Sequence, residues 1–292
     1  MKKVGFVGVG TMGFPMSDNL LKNGFDVYLY NRTAEKIKPL VEKGAKACAS
    51  PAEVGENCEL VFTCVSDSPD VKQVILEKNG VAEGMKSGGI IVDCSTSSPK
   101  LAQEMCEALK ERGVGILDAP VSGGPEGAQK GTLTIMVGGD EDVFQRAMPA
   151  LEAVGKTITY IGPAGAGQLT KAVNQIVIAS SLVGIAEGVV LAQKCGIDPE
   201  KVIQAISGGA ARSFMMDVRA PLMLKEEFEK AYFALGYHAK DLRIAMELAQ
   251  ETGAKIPLCK MASDQFQAID QSGRGALDHS AVYLYTKEKN DL

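Results

Sequence analysis

The sequence predicts an α/β domain on a mainly parallel, doubly wound sheet, followed by an all-α domain. Three observations carry this. Short apolar runs alternate with helical stretches through the first half of the chain. A glycine-rich turn follows the first of those runs. Beyond Gly162-Pro163 the alternation stops and only helical patterns remain. A length of 292 residues fits two domains. The change of pattern puts their boundary near 162, giving domains 1–162 and 163–292.

Lys3–Gly8 reads as a buried strand, and Thr11–Asn23 as a helix stopped by Gly24. Asp26–Tyr30 is a second strand, and Ala34–Lys43 a second helix stopped by Gly44. Leu60–Cys64, Gly89–Asp93, Gly115–Asp118, Leu133–Val137 and Thr157–Ile161 read as further strands. Ser68–Leu76, Pro99–Glu111 and Glu141–Val154 are the helices among them. In the second half Gly165–Cys195 reads as one long helix, apolar on all sides, whose middle must be buried within the domain or against another subunit. Shorter helices follow near Pro199–Ile206, Ser213–Met223, Lys240–Glu251 and Pro257–Ser272.

Composition excludes several functions. Hydrophobic residues make up 46% and charged residues 23%, as in a folded globular protein. A net charge of −5 argues against nucleic-acid binding, which needs a basic face. An anionic ligand must then be held by a few placed cations and backbone N–H groups. The seven cysteines form no CxxC pair, and with only two histidines a metal site has few ligands, so no metal is expected. Scattered free thiols fit a reducing, cytoplasmic setting. Met1-Lys2-Lys3 and the short apolar run behind it are not expected to form a signal peptide, because Gly5, Pro15 and Asp18 interrupt the pattern. Ile176–Ala192 is apolar enough to be tested as a membrane span, but Ser180, Ser181 and Glu187 favour a buried helix.

Gly8-Val9-Gly10-Thr11-Met12-Gly13 is a GxGxxG turn between a strand and a helix, the context a dinucleotide-binding loop requires. Gly8 makes the turn, Gly10 lets a diphosphate approach the backbone, and Gly13 allows close helix–strand packing. Thr11 and Met12 lie in the loop itself. Where an NAD site places an acidic residue at the end of the second strand, this chain has Asn31-Arg32-Thr33. A guanidinium pairs with a 2′-phosphate and Asn and Thr can add hydrogen bonds, so NADP(H) is expected. The alternative is a solvated Arg32 and an enzyme that uses either cofactor.

Four ordered motifs resemble the β-hydroxyacid dehydrogenase family, which includes 3-hydroxyisobutyrate dehydrogenase, tartronate semialdehyde reductase and glyoxylate/succinic semialdehyde reductase. They are Gly5 to Gly13, Asp118-Ala119-Pro120-Val121-Ser122-Gly123-Gly124, the run from Gly165 to Asn174, and Lys240-Asp241-Leu242. The resemblance runs nearly end to end and implies a Rossmann domain followed by a helical domain. It implies that Lys171 is the catalytic acid/base and that Asn174 positions it and the substrate oxygen. Lys171 and Asn174 are i and i+3, on one helix face. It assigns Ser122, Gly123 and Gly124 to the substrate carboxylate, for which consecutive backbone N–H groups and a hydroxyl form a nest; an ordinary flexible turn is the alternative. It takes Lys240 to the cofactor and substrate, where a second ammonium would favour proton release from Lys171. Asp241 reads as an N-terminal helix acid. Val65-Ser66 stands where the family has a Leu-Pro type pair, so only backbone contacts with the cofactor are expected there, and Thr96 is a contact near the nicotinamide. Arg212 either reaches a distal acidic group on the substrate or is a solvated or subunit-contact charge. Asp278-His279-Ser280 resembles the ending of the tartronate semialdehyde reductase branch and is assigned no chemistry.

The expected activity is NADPH-dependent, reversible reduction of a short carboxylated aldehyde of the tartronate semialdehyde, glyoxylate or succinate semialdehyde type to the hydroxy acid. An NAD-dependent 3-hydroxyisobutyrate-type dehydrogenase is the near alternative. A non-catalytic NADP-binding interaction module is the alternative of a different class, and Lys171 with Asn174 argues against it. A 6-phosphogluconate dehydrogenase would carry a His after the catalytic helix Lys, where this chain has Asn174-Gln175. The expected partners are the small carboxylated substrate and further copies of the chain in a homodimer or homotetramer, with no nucleic acid and no membrane.

Overall fold

The computed structural model describes residues 2–292, and the chain divides into two compact units, one ending at Lys171 and the other spanning Ala172–Leu292. The first unit holds the sheet. Its strands are β1 (Lys3–Val7), β2 (Asp26–Tyr30), β3 (Lys46–Ala47), β4 (Leu60–Thr63), β5 (Ile90–Asp93), β6 (Gly115–Asp118), β7 (Val121–Ser122), β8 (Leu133–Gly139) and β9 (Gly155–Gly162). The spatial order is β3-β2-β1-β4-β5-β6-β8-β7, with β9 paired to β8. The first six strands in that order are mutually parallel, and β8 is antiparallel to β6 and β7. The order 3-2-1-4-5-6 reverses between β1 and β4, the switch point where such sheets bind ligands at their carboxyl ends.

Both faces of this sheet are covered, so its central strands β4 and β5 are apolar at every position but the last, Thr63 and Asp93. Leu60 and Phe62 of β4 and Ile90 and Val92 of β5 join one core with Phe6, Leu29 and Leu133. Val61 and Ile91, one residue out of step, join a second core with Val7, Val54, Ile75 and Met105. Phe6 stacks on Phe62 at 5.7 Å between ring centroids. The covering helices are α1 (Gly13–Lys22), α2 (Lys38–Glu42), α3 (Pro51–Asn57), α4 (Ser68–Leu76), α5 (Val81–Gly84), α6 (Pro99–Lys110), α7 (Gly124–Lys130) and α8 (Glu141–Leu151).

The expected strands are all present. The elements missed by the sequence reading are short: β3, β7, α3, α5 and α7 have two to seven residues each, too few to show a period. The helix expected over Ala34–Lys43 is a 3₁₀ turn, Ala34–Ile37, followed by the short α2. Pro39 sits in the first turn of α2, where its missing N–H costs nothing.

α9 (Ala166–Lys194) begins in the first unit and continues into the second. There it joins α10 (Pro199–Ile206), α11 (Phe214–Lys225), α12 (Leu235–Thr252), α13 (Pro257–Ile269) and α14 (Tyr283–Glu288). Leu182, Val183, Ala186 and Val190 of α9 pack with Leu242 and Ala245 of α12, Phe266 of α13 and Tyr283. By length and composition α9 could cross a membrane, but half of its most apolar stretch is buried in the structure, as in a core helix. Val173, Val177 and Leu191 on the same helix are exposed.

The start of α9 is tied to the sheet through one carboxylate. Asp118 ends β6 and is 3% exposed. Its Oδ1 accepts from the Gly165 N–H and its Oδ2 from the Gln168 N–H, both at 2.8 Å. Two amides that a helix start leaves without partners are thereby satisfied, and the negative charge meets the positive end of the helix dipole. A Cβ on Gly167 would run into the carbonyls of Asp118 and Met136, so this approach of helix to strand requires glycine there. Truncation of Asp118 to alanine strands both amides in a buried place. Urea unfolding of Asp118→Ala is expected to show a loss of about 2–3 kcal/mol. A loss under about 0.5 kcal/mol would show that the cap is not holding the helix.

Candidate active site

The glycine loop meets each physical demand placed on it. Gly8 has φ +95°, and a Cβ there would strike the Cys64 carbonyl; one on Gly13 would strike the Gly8 carbonyl. At Gly10 a Cβ would meet nothing within 4 Å, so this is the open side of the turn. The Gly8 N–H bonds the Tyr30 carbonyl at 3.1 Å, while the N–H groups of Gly10, Thr11 and Met12 have no acceptor among the described residues. Three free amides at the start of α1, beside the β1/β4 switch point, fit the diphosphate of a dinucleotide. Met12 also packs its side chain against the first core.

Asn31, Arg32 and Thr33 follow β2, but they do different things. Asn31 Oδ1 accepts from the Val9 N–H at 2.9 Å and its Nδ2 donates to the Thr33 carbonyl at 2.9 Å. Asn31 therefore braces the glycine loop, and its Nδ2 carries a second N–H beyond the one given to Thr33. Arg32 and Thr33 are exposed, and Arg32 has no ion-pair partner among the described residues. The guanidinium is free to meet an anion.

Behind β4 and β5 lies a buried polar cluster that sequence reasoning missed. Asp93, fully buried, accepts from Thr63 Oγ1 at 2.8 Å and from the Ser95 N–H at 3.1 Å through Oδ1, and its Oδ2 has no hydrogen-bond partner. Ser95 Oγ accepts from the Val65 N–H at 2.9 Å. The Val65 backbone N–H is thus engaged within the protein. Ser66 is exposed and Thr96 half-buried. Gln168 closes the cluster, its Nε2 donating to the Ser95 carbonyl at 2.8 Å and its Oε1 accepting from the Ser97 N–H at 3.1 Å. The loop that carries Thr96 is thus fastened to the first turns of α9.

Lys171 lies one and a half turns into α9 and is buried. Its Nζ donates to the Val121 carbonyl at 2.9 Å. The next residues are Ser122, Gly123 and Gly124, so two motifs about 50 residues apart meet at one point. Gly123 and Gly124 both have positive φ, +130° and +62°, which only glycine adopts without strain. The Gly123 N–H has no acceptor among the described residues. An ammonium, a free amide and a hydroxyl therefore stand within one short segment, the groups needed for a carboxylate and a polarised carbonyl.

In the second unit Asn174 and Lys240 are ends of one polar chain. Asn174 Nδ2 donates to Gln175 Oε1 at 2.7 Å, and Gln175 Nε2 donates to Asp241 Oδ2 at 2.7 Å. Asp241 Oδ1 stands 3.0 Å from Lys240 Nζ. The reading of Asp241 as a helix-start acid is corrected: α12 begins at Leu235, and Asp241 is buried inside it. Arg212 is exposed and pairs with Asp217 at 3.2 Å through Nε and an η nitrogen. His279 is buried between His238 and Arg219. Among the described residues no group of His, Cys, Asp and Glu is placed to hold a metal ion.

Comparison with known proteins extends these observations over the whole chain. Residues 3–162 match the model described as the NAD-binding domain of 6-phosphogluconate dehydrogenase. Residues 165–286 match the one described as NAD-binding of NADP-dependent 3-hydroxyisobutyrate dehydrogenase. The chain belongs to the β-hydroxyacid dehydrogenase family. It is 42% identical to an uncharacterized oxidoreductase of Shewanella frigidimarina, over 99% of both chains. It is 37% identical to 2-hydroxy-3-oxopropionate reductase of Escherichia coli K12, over 96% of this chain and 95% of the other. Mycobacterium tuberculosis 3-hydroxyisobutyrate dehydrogenase, solved with L-serine, superposes with a TM-score of 0.89 at 31% identity, covering 98% of this chain and 99% of that one. This member of the family is an oxidoreductase of the hydroxyacid dehydrogenase type with an NAD-binding domain.

Burial pushes the carboxyl groups of Asp93 and Asp118 up to about 6. The folded state holds these protons more tightly than the unfolded chain, whose carboxyls titrate near 4. Their contribution to stability is therefore complete below about pH 4 and is lost as pH rises through 6. Wild-type protein is expected to lose part of its stability between pH 5 and 8, and Asp93→Asn to lose less over the same span. Thermal melts at the two pH values check this; equal slopes for both proteins would contradict it.

Proposed function

We propose that this dehydrogenase reduces a short aldehyde carrying a carboxylate, with NADPH, and runs the reverse oxidation with the same groups. The observation that carries the reading is the hydrogen bond from Lys171 Nζ to the carbonyl that precedes Ser122-Gly123-Gly124. The cofactor supplies the hydride when bound. Gly10, Thr11 and Met12 receive its diphosphate with free amides, and Arg32 pairs with the 2′-phosphate. Ser66 and Thr96 stand at the cofactor side, and Lys240 reaches cofactor and substrate. Ser122, Gly123 and Gly124 hold the substrate carboxylate, and Arg212 turns from Asp217 to a distal acidic group when the substrate has one.

Lys171 then has one task. As hydride reaches the carbonyl carbon, the C=O π electrons move to oxygen, and the oxygen takes a proton from the Lys171 ammonium. The neutral amine recovers its proton from water. Asn174, held by Gln175, orients this exchange. In oxidation the amine takes the hydroxyl proton instead.

The relative named 2-hydroxy-3-oxopropionate reductase supports a small carboxylated aldehyde, and the match to an NADP-dependent family model supports the phosphorylated cofactor. Residues 1–162 are proposed as the NADP-binding domain and 163–292 as the substrate and oligomerisation domain. The exposed Val173, Val177 and Leu191 of α9 support a homodimer or homotetramer, and cysteines that form no disulfide among the described residues support a cytoplasmic setting.

NADPH oxidation against tartronate semialdehyde, methylmalonate semialdehyde, glyoxylate and succinate semialdehyde tests the reaction. At least one is expected to turn over, with Lys171→Ala lowering kcat by about 10²–10⁴-fold. A stable, NADPH-binding protein that reduces none of them would overturn the reading in favour of a binding module. Arg32→Glu is expected to raise the KM for NADPH about 10–100-fold and to leave that for NADH nearly unchanged. An unchanged NADPH constant would contradict the role of Arg32.

A further inference from the structure

The second unit contains an unusual polar line through an otherwise apolar core, and its direction can be read from chemistry alone. The chain has only two histidines, His238 and His279, and both are buried in this line. Arg219 Nε lies 3.0 Å from His279 Nε2. An arginine Nε always carries hydrogen, so His279 Nε2 must offer a lone pair. The proton of that neutral ring is then on Nδ1. His279 Nδ1 lies 3.1 Å from His238 Nδ1, so His279 donates and His238 accepts. The proton of His238 is therefore on Nε2, which donates to the Gln175 carbonyl at 3.2 Å.

Each link fixes the next. The line begins at a permanent cation on α11, crosses the two rings, and ends on α9 at the residue whose side chain holds Asn174. Asp278, fully buried, lies 3.4 Å from Arg219 Nε through Oδ1, and its Oδ2 accepts from the Tyr232 and Phe233 N–H groups. On α12, Asp241 accepts from the Gln175 side-chain amide, and Lys240 lies 3.0 Å from Asp241. Phe233 and Phe266 pack edge-on against the rings, at 5.6 Å to His279 and 4.6 Å to His238. A second proton on His279 would face Arg219 with two donors; one on His238 would face His279 in the same way.

We propose that Arg219, His279 and His238 are positioning residues. They form a one-way hydrogen-bond chain that sets the Asn174–Gln175 turn of α9, and it holds only while both imidazoles are neutral. The inference deepens the reading above, since it makes Asn174 part of the reacting machinery. Gln175 is gripped from both sides, its carbonyl by His238 and its side-chain amide by Asp241. Asn174 then has one orientation rather than several.

Two measurements separate this inference from the reaction itself. With only two histidines, long-range ¹H–¹⁵N spectra of ¹⁵N-histidine-labelled protein report both rings, and a His279→Gln variant assigns them. The expected result at pH 7.5 is His279 as the Nδ1–H tautomer and His238 as the Nε2–H tautomer, both neutral. A charged ring, or the same tautomer in both, would overturn the proposal whether or not any aldehyde is reduced. Arg219→Met removes the first donor. It is expected to shift the side-chain amide resonances of Asn174, assigned by their loss in Asn174→Asp, and to lower kcat about tenfold with the KM for NADPH within twofold. Arg219→Lys, which keeps a donor, is expected to restore part of kcat. Asn174 resonances unmoved in Arg219→Met would refute the positioning role even if the tautomers are as stated.

Discussion

The carboxylate of Asp118 is the point on which the Lys171 end of the first unit depends. It ends the parallel part of the sheet and accepts the two N–H groups that begin α9. Burying a carboxylate costs free energy, and its raised proton affinity records that cost. The charge is retained against the cost because helix amides and dipole compensate it locally. Three helical residues after Gln168 comes Lys171. With the helix start fixed against β6, the Lys171 ammonium is delivered to the Val121 carbonyl and the Ser122 segment. Gln168 extends the same anchor to the loop that carries Thr96. A shift of α9 by one residue would turn Lys171 about 100° away from that point.

The two units solve different problems with different interiors. The central strands are apolar on both faces, and the buried Thr63, Asp93 and Asp118 lie at the carboxyl ends of β4, β5 and β6. The helical unit instead carries buried Gln175, His238, Asp241, Asp278 and His279 among alanine, leucine and phenylalanine. Such groups are tolerable only when each finds a partner. Here His279, His238 and the Gln175 carbonyl bond in one line with a definite direction, while Asp241 accepts from the Gln175 side chain and Asp278 from backbone N–H groups. An apolar replacement would pack as well. It would not fix the rotation of Asn174 about its own side chain.

Much of the fold is legible in the sequence because the strong signals are local. The apolar runs from Val4, Leu60 and Ile90 give the central strands, and the glycine spacing gives the switch point. The short β7 and α7 have no period to read, so the Ser122 segment shows in the sequence as a loop when it is a strand end followed by a helical turn. The site is legible in part. Lys171 and the Ser122-Gly123-Gly124 segment, about 50 residues apart in the chain, meet through the Val121 carbonyl. The bond from the Val9 N–H to Asn31 Oδ1, between the ends of the paired β1 and β2, is not readable from the sequence. Val65 is likewise engaged by Ser95. Asp93, Asp118 and Gln175 escape notice because an isolated acid or amide in sequence looks the same whether it faces water or a helix end.

The central claim is that the Lys171 ammonium delivers the proton to the carbonyl oxygen. Chemical rescue of Lys171→Ala by small primary amines tests it most directly, using an aldehyde that the wild type reduces and tetramethylammonium at equal ionic strength as control. The account predicts that methylamine and ethylamine restore reduction in a concentration-dependent way, with tetramethylammonium inactive and NADPH affinity unchanged. A variant that binds NADPH normally and is rescued by no amine, or equally by the control cation, would contradict it.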